Sequence, residues 1–354
     1  MKQPTFISLI LYMQDEGGHD FVYNCSLQKM ISRCLVNYQA FASKSTTLCN
    51  LPTNWSKIFR GRKWRVFDFL KLFLKKRNKT ERRCFFLEKF FLLDLCPLTV
   101  AIFLFFRKGD SLSLLFRYEK NQRRGILYLF LIFLLKIRLG KNLVLLTDSE
   151  LIAQSYVPYL NLIVMPIPHV EDMIFSRPTH EKVILWWPGG PRLSKGLQDI
   201  QKLAKESMPP HVELVVARSS LLQNESYSLN VRPVSDILSR KEYQQLMEDA
   251  NIVLLPYDPI IYSKGTSGIL VEAIIAGKMP FVKEGSWLSY ELRRFSLEKL
   301  IIDWSKADLV KTILELYQDP ELHNRLEKMR FAYTEFHSLK TYQDKLNMVL
   351  KLTQ

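Results

Sequence analysis

Two groups of residues in this chain have the types and spacing needed to hold a phosphate and a hydroxyl-bearing ring. The first is Gly265-Thr266-Ser267-Gly268, with Glu272 four residues beyond Gly268. Small residues permit an unusual backbone, the hydroxyls can cap a helix, and amides at a helix start favour an anion. A carboxylate one turn further on points back toward that start and can accept hydrogen bonds from sugar or ribose hydroxyls. The second is Pro188-Gly189-Gly190-Pro191-Arg192-Leu193-Ser194-Lys195-Gly196, a glycine-rich turn carrying two cations. Arg192 offers a fork for phosphate oxygens and Lys195 a point charge, and together they suit a diphosphate. Each group also has a plainer reading: Ser267-Gly268 as an ordinary capped turn, and Glu272 as an acid complementing the helix dipole.

These groups need strands and helices to position them. Asn251–Tyr257 is a short apolar run closed by proline and reads as a buried parallel strand, with another beginning at Phe281 and Val282. Gly277-Lys278-Met279-Pro280 ends the intervening helix. Val183–Trp187 reads as a further strand, followed by the two-cation turn and a helical pattern from Leu197 to Ser207. Loops at the carboxyl ends of such strands converge on one crevice in an open α/β sheet, which would bring Arg192, Lys195 and Ser267 together. At the other end of the chain, Phe6–Tyr12 reads as a first strand and Gln14–His19 as a loop leading to a helix from about Asp20. Gly17 and Gly18 allow close backbone approach there. His19 is a candidate contact for an acceptor or a phosphate, with a helix cap or a surface position as the plainer role.

At these residues the chain resembles the GT-B glycosyltransferases, and within them the retaining, glycogen-synthase-like group known as family 4. The likeness is clearest from about Val183 to Val282. In that family an Arg and a Lys-Gly grip the donor diphosphate, matching Arg192 and Lys195-Gly196, with Gly190 in the same loop. The family's Ser-Gly, three residues, Glu-Ala pattern matches Ser267, Gly268, Glu272 and Ala273. The resemblance implies that Glu272 holds the nucleotide ribose and that the backbone at Ser267 and Gly268 meets phosphate or sugar. A Gly-Gly-His-like loop, here Gly17-Gly18-His19, lies in the family beneath the donor phosphate and beside the acceptor. One departure stands out: many members carry a further Glu eight residues before the ribose Glu, where this chain has Lys264.

Length and composition agree with this organisation, since 354 residues at 47% hydrophobic content suffice for two α/β units with their own cores. The expected fold is α/β, of GT-B type, with two Rossmann-like domains facing across a cleft. The first is placed at 1–168 and the second at 176–335. A final segment, 336–354, is expected as a helix packing back on the first. Pro166–Asp172 is the expected join, with His169 near it. Five cysteines without a C-x-x-C pair read as reduced thiols, and the start of the chain shows no secretory pattern. The scattered histidines offer no metal-ligand spacing, and the resemblance likewise implies neither metal nor cofactor, only a nucleotide-sugar donor.

Charge is distributed unevenly. From Lys57 to Lys141 there are 22 Lys/Arg against 6 Asp/Glu, enough to account for the whole formal excess of +15. Aromatic residues such as Trp64, Phe67 and Phe73 interleave with these cations, a pattern suited to an anionic membrane surface; a solvated basic face is the alternative. No nucleic-acid module is visible, so nucleic acid is not an expected partner. Leu95–Phe106 and Ile126–Leu135 are strongly apolar but too short to span a bilayer. The first is expected as a buried strand and the second as a helix on the sheet.

The expected activity is transfer of a sugar from a nucleotide diphosphate sugar to a hydroxyl on a glycan or lipid-linked acceptor. The resemblance implies retention at the anomeric carbon, and the family and basic surface point to envelope or surface glycan synthesis, in the cytoplasm or peripherally on the inner membrane face. Catalytic roles fall to Arg192, Lys195 and His19, and donor contacts to Gly17, Gly18, Gly190, Ser267, Gly268 and Glu272. Two alternatives stand beside it. One is another GT-B chemistry, inverting transfer or epimerisation, with Glu16 or His19 as base. The other is a non-catalytic, membrane-associated partner subunit, suggested by Lys264.

Overall fold

The computed structural model describes residues 4–12, 19–33, 37–47, 51–75, 81–117, 125–168, 170, 173, 181–222 and 225–352. The chain divides into two units, Met1–His169 with Ser338–Gln354, and Val170–His337. Both are built on parallel sheets, in which strands buried on both faces read as continuous apolar runs rather than alternating ones.

In the first unit β1 (Thr5–Ile10) leads to α1 (His19–Arg33), followed by β2 (Asn37–Ser43) and β3 (Trp55–Phe59). Then come α2 (Arg65–Leu74), β4 (Arg83–Leu87), α3 (Leu92–Phe105), β5 (Ser111–Phe116), α4 (Gly125–Leu139), β6 (Leu143–Thr147), α5 (Glu150–Tyr156) and β7 (Ile163–Val164). The sheet order is β3-β2-β1-β4-β5-β6-β7, so the winding reverses between β1 and β4. One face packs against α2, α3, α4 and α5 through residues such as Phe69, Leu98, Ile132 and Ile152. The other packs against α1 and the chain's last helix through Leu27, Met30, Tyr342 and Leu346.

Leu95–Phe106 is helical, not the strand its residue types suggest. The segment connects β4 to the parallel neighbour β5, and a parallel pair requires a crossover over the face of the sheet. Asp94 fixes its start by accepting a hydrogen bond from the Phe91 amide at 2.9 Å. Leu95, Leu98 and Ile102 then fall on the buried side at helical spacing. The periodicity is hidden in sequence because the opposite side is apolar as well.

The second unit runs β8 (Val183–Trp186), α6 (Leu197–Leu203), β9 (Val212–Ala217), β10 (Val231–Val234), α7 (Arg240–Asp249), β11 (Ile252–Leu255), α8 (Gly268–Ile275) and β12 (Met279–Val282). Four helices complete the chain: α9 (Trp287–Arg294), α10 (Leu309–Tyr317), α11 (Pro320–Phe336) and α12 (Leu339–Leu352), the last belonging to the first unit. The sheet order is β10-β9-β8-β11-β12, with reversal between β8 and β11. Pro233 and Pro280 lie in the two outermost strands, β10 and β12, where a missing amide donor costs least.

Candidate functional site

The reversal between β8 and β11 places the loops that follow them side by side, and the sequence makes their approach unusually close. Gly196 has φ +84°, and a Cβ there would lie 2.3 Å from the Pro256 carbonyl oxygen, so no larger residue fits. The Asp258 amide donates to the Ser194 carbonyl at 3.0 Å, fastening one loop to the other. Trp187 Nε1 donates to the Lys195 carbonyl at 3.2 Å, tying the two-cation turn to the end of β8.

This frame sets the position of Lys195. Its Nζ occupies the space that a Cβ on Gly189 would take, 2.8 Å away, and Gly189 itself has φ +96°. The ammonium lies 5.5 Å from the centre of the Tyr257 ring. Burial, with the Arg192 guanidinium nearby adding repulsion, lowers its pKa from 10.5 to about 8. Arg192 is exposed at the entry to the short turn Leu193–Lys195. Neither cation has an ion-pair partner among the described residues. Gly190 has open space where a side chain would be, so neither sterics nor backbone strain demands glycine there.

On the neighbouring loop Ser267 caps α8, its Oγ accepting from the Leu270 amide at 3.3 Å, and Gly268 is the first helical residue. Glu272 is 3% exposed and held from α7: Arg240 Nη1 donates to Oε1 at 3.0 Å and the Tyr243 hydroxyl to Oε2 at 2.6 Å. Tyr243 packs edge-on against Trp186 of β8, 5.1 Å between ring centres. Sequence reading did not find Arg240 and Tyr243. The signal was present, because Ser239 and Glu242 form a capping box that sets the phase of α7 and puts positions 240 and 243 on one side. Lys264 lies on the same loop as Ser267, partly buried.

The corresponding edge of the first unit has a different character. Tyr12, Glu88, Arg117 and Asp148 stand just beyond the carboxyl ends of β1, β4, β5 and β6. Arg117 lies 3.4 Å from Glu88 and 3.6 Å from Asp148, and its guanidinium covers the Tyr23 ring at 4.3 Å. Asn24 of α1 donates to Glu88. Tyr12 donates to Asp94 at 2.5 Å, and the buried Arg65 pairs with the same carboxylate at 3.4 Å. Tyr12, Glu88 and Arg117 are each the first polar residue after an apolar strand end, Asp148 directly follows β6, and the others come from helices, a signal that position alone could have supplied. Gly17, Gly18 and Glu16 lie outside the described residues, as does His169 near the join. His19 opens α1, and its side chain is likewise outside them.

Among the described residues no group of His, Cys, Asp and Glu has the arrangement of a metal site, and Cys84 and Cys96 are free thiols.

No family model matches the chain, and no curated protein matches it in sequence. Solved structures do. A UDP-forming α,α-trehalose-phosphate synthase from Burkholderia xenovorans, in complex with glucose-6-phosphate, aligns over 100% of both chains with TM-score 0.66 and 10% identity. The E. coli structure bound with UDP-2-fluoro glucose aligns over 99% of both, with TM-score 0.64 and 9% identity. The kitacinnamycin glycotransferase covers 99% of this chain and 100% of its own, with TM-score 0.58 and 10% identity. With two doubly wound parallel sheets in one chain, these likenesses identify the architecture as the GT-B glycosyltransferase fold.

Proposed function

We propose that the protein transfers a sugar from a nucleotide diphosphate sugar to a hydroxyl acceptor, with the donor held on the second unit. The observation that carries this reading is the pair Arg192 and Lys195, two cations without ion-pair partners among the described residues, beside the start of α8 at the β8/β11 reversal. A diphosphate placed there meets a guanidinium fork, a half-desolvated ammonium and helix-start amides. Those groups stabilise the negative charge that grows on the leaving diphosphate, a contribution worth several kcal/mol in well-organised sites. Because Lys195 is partly desolvated before any ligand arrives, an anion restores the favourable interaction that burial removed.

Glu272 is the proposed ribose contact. Arg240 and Tyr243 fix its carboxylate, and each carboxylate oxygen has the lone-pair capacity for a ribose hydroxyl besides. Gly190, Ser267 and Gly268 are proposed to meet the donor through backbone groups. Gly17, Gly18 and His19 are proposed on the acceptor side by family resemblance. The donor is a substrate, and no resident cofactor or metal is part of the proposal. Retention at the anomeric carbon, a glycan or lipid-linked acceptor in envelope or surface glycan synthesis, and a peripheral place on the inner membrane face complete it.

The test is thermal stabilisation by UDP, GDP, ADP and their sugar conjugates, with Arg192→Ala, Lys195→Ala and Glu272→Ala beside the wild type. A ligand at one hundred times its dissociation constant adds about 2.7 kcal/mol. We expect one nucleotide to shift the wild type and each variant to respond less. No shift with any nucleotide would remove the donor reading. A second reading, a non-catalytic, membrane-associated partner subunit, is favoured by Lys264 in the place of the family's Glu. Slow donor hydrolysis by the purified chain would count against it.

A further inference from the structure

The side of α2, α3 and α4 turned away from the sheet is apolar. Of twenty-four large hydrophobic residues exposed among the described residues, fourteen lie between Trp64 and Ile137. They follow helical spacing. Trp64, Phe67 and Leu74 make one stripe along α2, Leu93, Val100 and Leu104 one along α3, and Ile126, Phe130 and Ile137 one along α4. α2 packs on α3 and α3 on α4, so the stripes adjoin. A contiguous apolar face of this size is unusual on a protein surrounded by water.

Charge selects its occupant. Exposed cations lie in and around the stripes: Lys71 within the α2 stripe between Phe67 and Leu74, Lys63 beside Trp64, Arg107 and Lys108 after α3, and Lys136 and Lys141 at the end of α4. The described acids of the same region are largely withdrawn from the surface. Asp68, Glu88, Asp94 and Asp110 are all buried, and Glu81 is half-buried and receives a hydrogen bond from Thr5. Exposed charge around the apolar face is therefore of one sign among the described residues. A second copy of the chain would bring like charges together, whereas an anionic leaflet complements both the apolar centre and the basic border.

We propose that this three-helix face inserts into one leaflet of an anionic lipid bilayer, its aromatic and aliphatic side chains entering the acyl region and its cations meeting lipid phosphates. The insertion is monotopic. α3 and α4 have 14 and 15 residues, about 21–22 Å at 1.5 Å per residue, short of the ~30 Å hydrocarbon core. No helix among the described residues is long and apolar enough to cross. The inference deepens the membrane part of the proposed function and is independent of the sugar-transfer part, because vesicle binding requires neither donor nor turnover.

The experiment is co-sedimentation of the full chain with vesicles of phosphatidylcholine alone or mixed with phosphatidylglycerol. It is run for wild type, Leu104→Glu/Phe130→Glu and Lys71→Glu/Lys136→Glu. Leu104 and Phe130 are 62% and 53% exposed, so the fold should tolerate the change, and a thermal melt verifies this. Trp64, 51% exposed, reports depth through quenching by lipids brominated on the acyl chain, with Trp64→Phe as blank. We expect binding to mixed vesicles, Trp64 quenching, and partitioning weakened at least ~tenfold by either double variant. Three results would overturn the proposal: no sedimentation of a folded wild type, binding that survives Leu104→Glu/Phe130→Glu without quenching, or a dimer in place of vesicle binding that the same variant dissociates.

Discussion

The two sheet reversals of this molecule occupy equivalent places in their units but handle charge in opposite ways. At the β1/β4 edge the described cations within the fold face acids: Arg65 with Asp94, and Arg117 with Glu88 and Asp148. At the β8/β11 edge Arg192 and Lys195 have no ion-pair partner among the described residues, and burial has already lowered the proton affinity of Lys195. A network of paired opposite charges mainly fixes geometry, while cations with no described acid against them, beside helix-start amides, are disposed to take an anion from solution. On the proposed reading, the first edge serves stability and the second serves binding. Removing a charge from the first edge should harm the fold, and removing one from the second should harm the ligand.

The sharpest way to break that contrast is to compare Arg65→Met with Lys195→Met. Arg65→Met leaves Asp94 buried without its cation, and we expect a loss of about 3–5 kcal/mol in denaturant unfolding of the first unit. Lys195→Met should leave unfolding unchanged or slightly improved. Equal losses in the two variants would mean that both edges are structural.

Next in size is binding. Lys195→Met should weaken nucleoside diphosphate affinity by about 1.5–3 kcal/mol, the range for a hydrogen bond to a charged group, measured by calorimetry. An unchanged affinity would move the anion away from this loop. A Gly196→Ala substitution should lower affinity as well, because its Cβ forces the two loops apart at Pro256.

pH sharpens the same point. Lys195 has a folded-state pKa of about 8 against the ordinary 10.5, so across that window the unfolded chain holds a proton that the folded chain lacks. Stability from this group therefore rises with pH from about 8 to 10.5, while diphosphate affinity falls. An arriving anion raises the pKa, so binding near pH 8.5 should take up protons, seen as an enthalpy that depends on buffer ionisation. Binding with no proton uptake would separate Lys195 from the anion.

The smallest expected effects concern Glu272. Tyr243→Phe removes one of its donors and should cost about 0.5–1.5 kcal/mol of stability, with a weaker donor response. Ser267→Ala, which removes the α8 cap, should cost about 1 kcal/mol. If Tyr243→Phe alters stability but not donor affinity, Glu272 serves to hold α7 to α8 rather than the ribose.

Local sequence determined the second unit most fully. Short apolar runs, Pro256 closing one of them, determined β8 and β11, and Gly189 and Gly196 at positive φ determined the turn after β8, because these features act within a few residues. The spacing of Ser267, Gly268 and Glu272 likewise follows from one strand–loop–helix unit. Tertiary structure decided the rest. It made Leu95–Phe106 a helix, since only the parallel pairing of β4 with β5 demands a crossover there. It brought Arg240 and Tyr243, about thirty residues upstream, onto Glu272, and it gathered Glu88, Arg117 and Asp148 from three strands into one network. It also separated the surface charges of the basic region by burying Asp68, Glu88, Asp94 and Asp110. A linear sequence shows which residues can pair or be buried, but only packing between distant segments selects which of them do, because burial and pairing energies depend on neighbours that the local chain does not contain.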